Sequence, residues 1–565
     1  MINNGNNSRR PYSRQGCREC KRRKIKCPEE KPSCSTCVRL NKTCSYPLAG
    51  EKVLRISRKL IREEIENTIK PNQIATTHFL PVQYDIPKRI NLDKPLNIQN
   101  LLSTETNIDF SDLNNLTNDL NNLVNNLTVN IELPDYDFDF LNDFSILSDE
   151  ITRNLPIDYI KLKKKHEIFY LESFYNNFAN IIEPFGAYHQ DKTISNPARD
   201  IILKTASTEP FLLAAVLAEG AKTSFIQYSQ PEDEKAYALY LSKCLQLLEP
   251  VKDLSNLNSN VEAVLLTLIL LTAASATSTQ QWRPHLNGAK ELLIKIYNQN
   301  VSKIFIFCKY WFISIEILAG LSTNLGGTLQ NDYEIDKIMT PTEYEINILK
   351  EMGLVTVQDF NILTGYSNSC LLNFRDLLKV SNKERNGVPV GIETLELLSK
   401  FYQQSQIVYI DAKGIIPENE LKSYTPGLPI EEIRINNQSF WLSWQDISHQ
   451  SYVLGSIILI LTKFYHVKSE NSSLSQLINR ILSFITYIHQ FQDVSQHASP
   501  FMLLMIQWPL LISGYHVSLD FQKNLLIKYF KMVEQIGAAT ANIAIKMLNQ
   551  HWRGSKDDDH DTLIY

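Results

Sequence analysis

Apolar residues recur three and four positions apart along most of the chain between residues 157 and 553. This spacing places them on one face of an α-helix, whereas a half-buried strand would alternate apolar and polar residues. Such alternation is scarce in this region. The pattern therefore predicts one large all-α domain over residues 156–554. Its clearest helices are Leu162–Ile182, Phe211–Gln227, Glu234–Leu248, Val261–Ala274, Asn287–Tyr297, Ile304–Leu321, Leu395–Ala412, Ser451–Phe464, Leu474–Phe491 and Gln522–Leu548.

The longest apolar runs in the sequence are too short to cross a membrane. They are Val264–Leu271, Val453–Leu461 and Phe501–Ile512, whereas a spanning helix needs about 18–20 residues. The first ten residues are polar and lack the apolar stretch of a signal peptide. We therefore expect these runs to be buried helices of a soluble protein that has no membrane partner.

The region before the helical domain, residues 72–155, is rich in Asn and Asp, and we expect it to be partly disordered. One part of it carries leucines at heptad spacing, and this spacing predicts a helix. The Asn residues between the leucines are poor helix formers, so such a helix needs a partner surface. Docking on the large domain is favoured, with self-association and an induced interaction as alternatives. The leucines are Leu113, Leu116, Leu120, Leu123 and Leu127.

Two stretches are acidic. Residues 130–151 alternate Asp with aromatic residues such as Phe138 and Phe140, and repulsion between the carboxylates keeps these aromatics in water, available to a coactivator. A strand or linker lying on the helical domain is an equally good interpretation. The second stretch, residues 555–565, is short, and we expect it to be a solvated acidic tail.

The charge of the chain is unevenly distributed. The first 62 residues contain 17 Lys and Arg against four Asp and Glu, a net charge of +13, so the remainder carries −17 of the total of −4. A basic N-terminal region followed by an acidic remainder indicates a nucleic-acid-binding unit joined to a domain that does not bind nucleic acid. Residues 1–14 are expected to form a disordered basic arm of this unit.

Six of the nine cysteines lie between residues 17 and 44, with the spacing C-x2-C-x6-C-x6-C-x2-C-x6-C. A gap of two residues lets two thiolates bind one tetrahedral zinc ion. Six thiolates satisfy two zinc ions only if two of the sulfur atoms bridge the metals. A thiol buffer is disfavoured because it has no use for the basic run that separates the ligands, and a disulfide knot is disfavoured because it needs an oxidising compartment. The six residues are Cys17, Cys20, Cys27, Cys34, Cys37 and Cys44.

The segment between the second and third cysteines reads Lys-Arg-Arg-Lys-Ile-Lys. We expect it to continue a short helix whose first turn the metal fixes. A nuclear-import signal or a solvated face is the alternative for such a run when it stands alone, and import can use the same residues.

The sequence GCRECKRRKIKCPEEKPSCSTCVRLNKTCSYP resembles the fungal Zn2Cys6 binuclear cluster family. The resemblance implies a domain at residues 15–47 that holds two Zn²⁺ ions per chain. It also implies that Cys17 and Cys34 bridge the two metals, that Cys20 and Cys27 complete one site, and that Cys37 and Cys44 complete the other.

By the same resemblance, Lys24 and Arg23 reach the major groove of double-stranded DNA at CGG-like triplets, where cations can donate to guanine. The remaining cations are better assigned to phosphates, which give affinity and register. These are Lys21, Arg22, Lys26, Arg39 and Lys42. A dimer-forming coiled coil often follows the cluster in this family. The corresponding linker with a short helix, residues 48–71, carries only a weak apolar seam, which by itself would not hold a homodimer together in water.

Residues 281–293, QWRPHLNGAKELL, resemble a recurring element of fungal regulatory domains, in which a helix begins just after a Trp. His285 in this element is expected to be a buried structural residue. No phosphate-binding loop, nucleophile elbow or zinc-protease motif is present, so we expect no enzyme activity.

The sequence thus predicts a Zn2Cys6 domain and a large all-α regulatory domain joined by a partly disordered linker. Within the family, the resemblance is to activators of lysine-biosynthesis genes. It implies a nuclear, sequence-specific RNA polymerase II transcription factor that recruits coactivators and responds to a small-molecule effector. A repressor, or an effector sensor for another pathway, is the alternative.

Overall fold

The computed structural model describes two separate compact units, Met1–Glu63 and Glu64–Tyr565. In the first, the described residues are 17, 20, 26–31, 33–39 and 44. In the second they are 152–189, 193–248, 254–276, 282–296, 301–417, 430–435, 438–489, 500–538, 540–554, 561, 563 and 564. The basic arm, the short helix of the linker, the leucine repeat and the acidic–aromatic stretch fall outside these residues.

The first unit contains one described helix, α1 (Ser35–Arg39). The second unit is mainly helical, as the periodicity predicts. Its helices are α2 (Lys165–Ser173), which continues through a π-helical stretch (Phe174–Phe178) into α3 (Ala179–Ile182), α4 (Pro197–Ala206), α5 (Pro210–Tyr228), α6 (Pro231–Leu248), α7 (Leu254–Ala274), α8 (Trp282–Ile296), α9 (Lys303–Ser322), α10 (Asp332–Met339), α11 (Glu343–Met352), α12 (Leu371–Arg385), α13 (Ile392–Gln404), α14 (Trp444–Lys463), α15 (Ser472–His489), α16 (Gln507–Gly514), α17 (Asp520–Ile536) and α18 (Thr540–Trp552).

Helix α9 lies in the core, since every residue from Phe305 to Leu321 is buried, with at most 9% of its surface exposed. It begins after Ser302, whose hydroxyl accepts a hydrogen bond from the backbone N–H of Phe305. By length and composition it could span a membrane, but 94% of its apolar window is buried inside the domain. Burial of this kind is typical of a core helix.

Several predicted helix boundaries differ from the structure. The single helix predicted over residues 522–548 is two helices, because Gly537 adopts a left-handed conformation (φ +117°) that ends α17. Helix α13 ends at Gln404 rather than at residue 412. Helix α14 begins seven residues earlier than the predicted start at residue 451, at the N-cap Ser443, where the hydroxyl accepts from the N–H of Asp446.

A small antiparallel sheet accompanies the helices and was not predicted. Its strands are β5 (Ile415–Pro417), β6 (Ile430–Ile435) and β7 (Gln438–Ser443), in the order β5-β7-β6. Only two residues, both Asn, separate β6 from β7, a spacing and composition typical of a tight hairpin. Two shorter hairpins pair β1 (Ala187–Tyr188) with β2 (Ile194–Ser195), and β3 (Phe360–Asn361) with β4 (Tyr366–Ser367).

The end of the chain also differs from the prediction. Asp561, Leu563 and Ile564 are buried, whereas the sequence predicts a solvated tail. The physical reason is that the last residues change from acidic to aliphatic, and that Arg283 provides a partner for the Asp561 carboxylate. The predicted burial of His285 is confirmed: the side chain is 2% exposed, and burial lowers its pKa to about 3.

Candidate metal centre

Six cysteine sulfur atoms gather into two overlapping groups in the first unit. One group contains Cys17, Cys20, Cys27 and Cys34, and the other contains Cys17, Cys34, Cys37 and Cys44. Within each group the four sulfur atoms lie within 4.8 Å of one another. The two groups therefore have two cysteines in common, which is the arrangement that lets six thiolates complete two four-coordinate sites.

The same backbone contacts occur twice around the cluster. The N–H of Cys17 donates to the sulfur of Cys27 at 3.3 Å, and the N–H of Cys34 donates to that of Cys44 at 3.2 Å. Each bond links residues ten positions apart. In addition, the N–H groups of Cys20 and Cys37 each donate at 3.4 Å to the cysteine three positions earlier. The spacing that is repeated in the sequence thus forms the same structure twice. The N–H donors also stabilise negative charge on the sulfur atoms.

The distances between sulfur atoms fit a shared zinc cluster. Four sulfurs at about 2.3 Å from one zinc ion lie about 3.8 Å apart. The sulfur of Cys34 lies 3.7 Å from that of Cys17 and 3.6 Å from that of Cys20. All nine cysteines of the chain are free thiols, so none of these contacts is a disulfide. The donor set and its geometry fit two Zn²⁺ ions.

The pKa values of the two shared thiols, Cys17 and Cys34, shift in opposite directions. Burial raises the pKa of Cys17. Burial also acts to raise the pKa of Cys34, but the hydrogen bond from the N–H of Cys37 and the contacts with neighbouring thiols outweigh it and bring this pKa to about 6. Of the two shared thiols, Cys34 is thus the one whose thiolate form is favoured by its hydrogen bonds.

A carboxylate that the sequence interpretation missed supports the second half of the cluster. Glu30 accepts a hydrogen bond of 2.8 Å from the N–H of Ser35, the first residue of α1. The contacts with Ser35 lower the pKa of Glu30. Helix α1 carries Cys37, so this bond connects the loop before the helix to the element that positions a ligand.

The structure describes two of the seven predicted DNA-contacting residues. Lys26 and Arg39 are both exposed, and Arg39 lies in the last turn of α1. The other five lie outside the described residues: Lys21, Arg22, Arg23, Lys24 and Lys42. Val38, beside Arg39, is 66% exposed.

The three remaining cysteines, Cys244, Cys308 and Cys370, are buried in the helical domain, where burial raises the pKa of each thiol. In the described part of the chain, the two groups near the N-terminus are the sets of side chains close enough to hold a metal ion.

Comparison with known families agrees with this geometry. Residues 15–52 match the fungal Zn(2)-Cys(6) binuclear cluster domain, and residues 169–562 match the fungal specific transcription factor domain. The chain belongs to the fungal zinc-cluster transcription factors. Like the domain that defines the family, it binds two zinc ions through its cysteine cluster and binds DNA.

Two curated proteins are similar to this zinc-cluster transcription factor. The lysine biosynthesis regulatory protein of Saccharomyces cerevisiae is 30% identical over 618 aligned positions, which cover 94% of this chain and 77% of the relative. The sterol uptake control protein 2 of Candida albicans is 30% identical over 81 positions, which cover 13% of this chain and 11% of that protein. No solved structure matches the chain.

Proposed function

We propose that this zinc-cluster transcription factor acts in the nucleus as a sequence-specific activator of lysine-biosynthesis genes. The observation that carries the proposal is the similarity to a lysine biosynthesis regulatory protein over 94% of the chain. Because so much of the chain is covered, the similarity includes both the cluster and the helical domain.

In the cluster, Cys17 and Cys34 bridge the two zinc ions. Their membership of both four-sulfur groups supports this assignment. Cys20 and Cys27 complete one site, and Cys37 and Cys44 complete the other. Bound zinc supplies the folding energy of this unit, since the described residues 17–44 bury cysteines and no other apolar side chain.

At the DNA, Lys24 and Arg23 read bases in the major groove of a CGG-like triplet, and the other five cations bind phosphates. The exposure of Lys26 and Arg39 supports phosphate contact, because a buried cation could not reach the DNA backbone. The same basic run serves nuclear import.

The remaining parts of the chain connect DNA binding to regulation. Residues 48–71 and 72–155 link the cluster domain (15–47) to the regulatory domain (156–554). Coactivators, a small-molecule effector and a second copy of the chain are the partners this function would use. Both family domains of this chain are those of transcription regulators, so the proposed function needs no catalytic site.

Genome-wide mapping of the sites bound by the full chain tests the proposal. We expect binding at promoters of lysine-biosynthesis genes, at sites that contain CGG-like triplets, and a fall in those transcripts when the gene is deleted. The control is the variant Cys20→Ala, which should lose the bound sites. Binding confined to other promoters would overturn the pathway, and a rise in the transcripts would make the protein a repressor.

A second experiment isolates activation from DNA recognition. Residues 72–565 are fused to an unrelated DNA-binding domain and tested on a reporter gene. Activation by the fusion supports an activator. A reporter that stays silent under every nutrient condition would contradict it.

A further inference from the structure

Asp561 contacts the start of helix α8, 278 positions earlier in the chain. The guanidinium of Arg283 binds both carboxylate oxygens of Asp561, with 2.5 Å between Nη2 and Oδ1. The indole N–H of Trp282 donates to the backbone carbonyl oxygen of Asp561 at 3.0 Å. Two consecutive residues of α8 thus recognise the side chain and the backbone of one acidic residue.

The cationic part of this site is held in place by groups outside the segment. Nη2 of Arg283 also donates to the hydroxyl of Thr323 at 3.2 Å, and Nη1 lies 3.4 Å from the carbonyl oxygen of Gly327. The guanidinium stacks on the ring of Trp282, 4.4 Å from its centroid. Because α8 and the end of α9 fix the guanidinium, little side-chain freedom is lost when a carboxylate binds.

The two described aliphatic residues after Asp561 are buried as well. Leu563 is fully buried, and Ile564 is 1% exposed. The described residues here are thus an acidic residue, bound by a guanidinium and an indole N–H, and two aliphatic residues that are shielded from solvent.

We propose that Trp282, Arg283 and Thr323 belong to a docking site for acidic–aliphatic peptides, and that Asp561, Leu563 and Ile564 of the same chain occupy it reversibly. Release of these three residues breaks fewer contacts than unfolding of the domain, so it costs less free energy. Release leaves the Arg283 guanidinium without its carboxylate, and the vacated site favours another acidic peptide. The partner that fits is a protein segment with an Asp or Glu followed within three residues by two large aliphatic side chains. This inference does not depend on the proposed target genes.

Amide hydrogen exchange on the full, unmodified chain tests whether docking is reversible. We expect the amides of residues 561–564 to exchange at least tenfold faster than those of the buried helix α9, through an opening of the segment alone. The variant Asp561→Asn should accelerate their exchange about tenfold further and leave α9 unchanged. Exchange of the segment in step with α9 would overturn the proposal, because the segment would then be released only by global unfolding.

Binding of a labelled peptide, SKDDDHDTLIY, tests recognition. The receptor is the full chain with Asp561→Ala, Leu563→Ala and Ile564→Ala, which vacates the site, and circular dichroism verifies its fold. We expect the peptide to bind this receptor at least tenfold more tightly than the wild-type chain. Adding Arg283→Gln should abolish the difference. If the triple variant does not fold, the hydrogen-exchange experiment on the unmodified chain tests the proposal by itself.

A matched substitution controls for the loss of one cation. Arg375→Gln removes a guanidinium that is as exposed as that of Arg283, 21% for both side chains, and that pairs with Asp376 on helix α12. It should leave peptide binding unchanged. Equal effects of Arg283→Gln and Arg375→Gln, or no effect of either, would overturn the assigned site.

Discussion

The ammonium group of Lys309 lies 2.6 Å from a carboxylate oxygen of Glu345, and each side chain is 1% exposed. Lys309 belongs to the buried helix α9, and Glu345 to the first turn of α11. Burial lowers the pKa of Lys309, and the Glu345 charge opposes this effect. Glu345 also accepts from the N–H of Thr342 in a capping box that begins α11. One carboxylate therefore serves both an interhelical contact and a helix start.

Lys309→Met should destabilise the domain strongly, because it leaves the Glu345 carboxylate buried without its cation. Removing one partner of a buried pair costs about 3–5 kcal/mol. Urea unfolding followed by circular dichroism measures the change. The double variant Lys309→Met/Glu345→Gln should recover most of the loss, since a glutamine keeps the capping box while removing the charge. A double variant no more stable than Lys309→Met would contradict this account.

Gly220→Ala should disrupt the packing of α5 on α2. A Cβ atom at residue 220 would lie 1.9 Å from the backbone carbonyl oxygen of Tyr170, which cannot move aside as a side chain can. Gly455→Ala in α14 is the control, because it introduces a Cβ atom at a much milder contact. Its nearest atom, the Cα of Pro509, would lie at 3.2 Å, and the alanine gains up to about 1 kcal/mol of helix propensity. Thermal unfolding should therefore show a much larger loss for the first variant, and equal losses would argue against this contact.

Chelation of zinc should unfold the cysteine cluster and leave the helical domain folded. The two metal-binding groups lie within residues 17–44, and the three buried cysteines of the helical domain belong to neither. We expect two zinc ions per chain by native mass spectrometry, and loss of DNA binding after chelation with little change in the thermal midpoint of the helical domain. A content of one zinc ion, or DNA binding that survives chelation, would refute the shared cluster.

Lys24→Ala should reduce the difference in affinity between DNA sequences, whereas Arg22→Ala should weaken binding to all sequences alike. A base contact is worth about 1–3 kcal/mol of discrimination. Loss of a phosphate contact reduces the salt dependence of binding by about one unit of the logarithmic slope. Binding isotherms at several salt concentrations, on a CGG-containing site and a scrambled one, separate the two effects. The reverse division between the two variants would show that the roles are exchanged.

His449→Gln should remove part of the loss of stability that acid causes. Nδ1 of His449 accepts from the N–H of Ser367 at 3.2 Å, and Nε2 lies 2.9 Å from the carbonyl oxygen of Gln404. A backbone N–H can only donate and a carbonyl can only accept, so the folded ring is neutral with its proton on Nε2. Burial lowers the pKa of this ring to about 4, against the opposing effects of Gln404 and Asp359.

The direction of the pH effect follows from this pKa. Between pH values of about 6.5 and 4, the unfolded histidine binds a proton that the folded one does not, so the free energy of unfolding falls by about 1.4 kcal/mol for each unit of decreasing pH. Urea unfolding at pH values of about 7.5 and 5.5 should show a smaller fall for His449→Gln than for the wild type. The exposed His466, replaced by Asn, is the control and should keep the wild-type dependence. The same fall in all three proteins would contradict a role for His449.

The sequence alone determined the features that depend on near neighbours. The spacing of the six cysteines identified the metal ligands, because a gap of two residues already brings two thiolates to one metal. Apolar periodicity predicted the helical domain for the same reason, since residues three and four apart share a helix face. The two Asn residues between β6 and β7 are also a local indication of a hairpin. The helical periodicity of the surrounding sequence led to a prediction of helices alone.

Only the tertiary structure decided which distant groups meet. The charge of Lys309 gives no sign that it will be buried, and its partner lies 36 positions away in another helix. The acidic residues 557–559 likewise predict a solvated tail, yet Arg283 binds Asp561 across 278 positions. Local sequence fixes the period and the ends of an element, whereas the cost of burying a charge depends on which partner the completed fold places beside it.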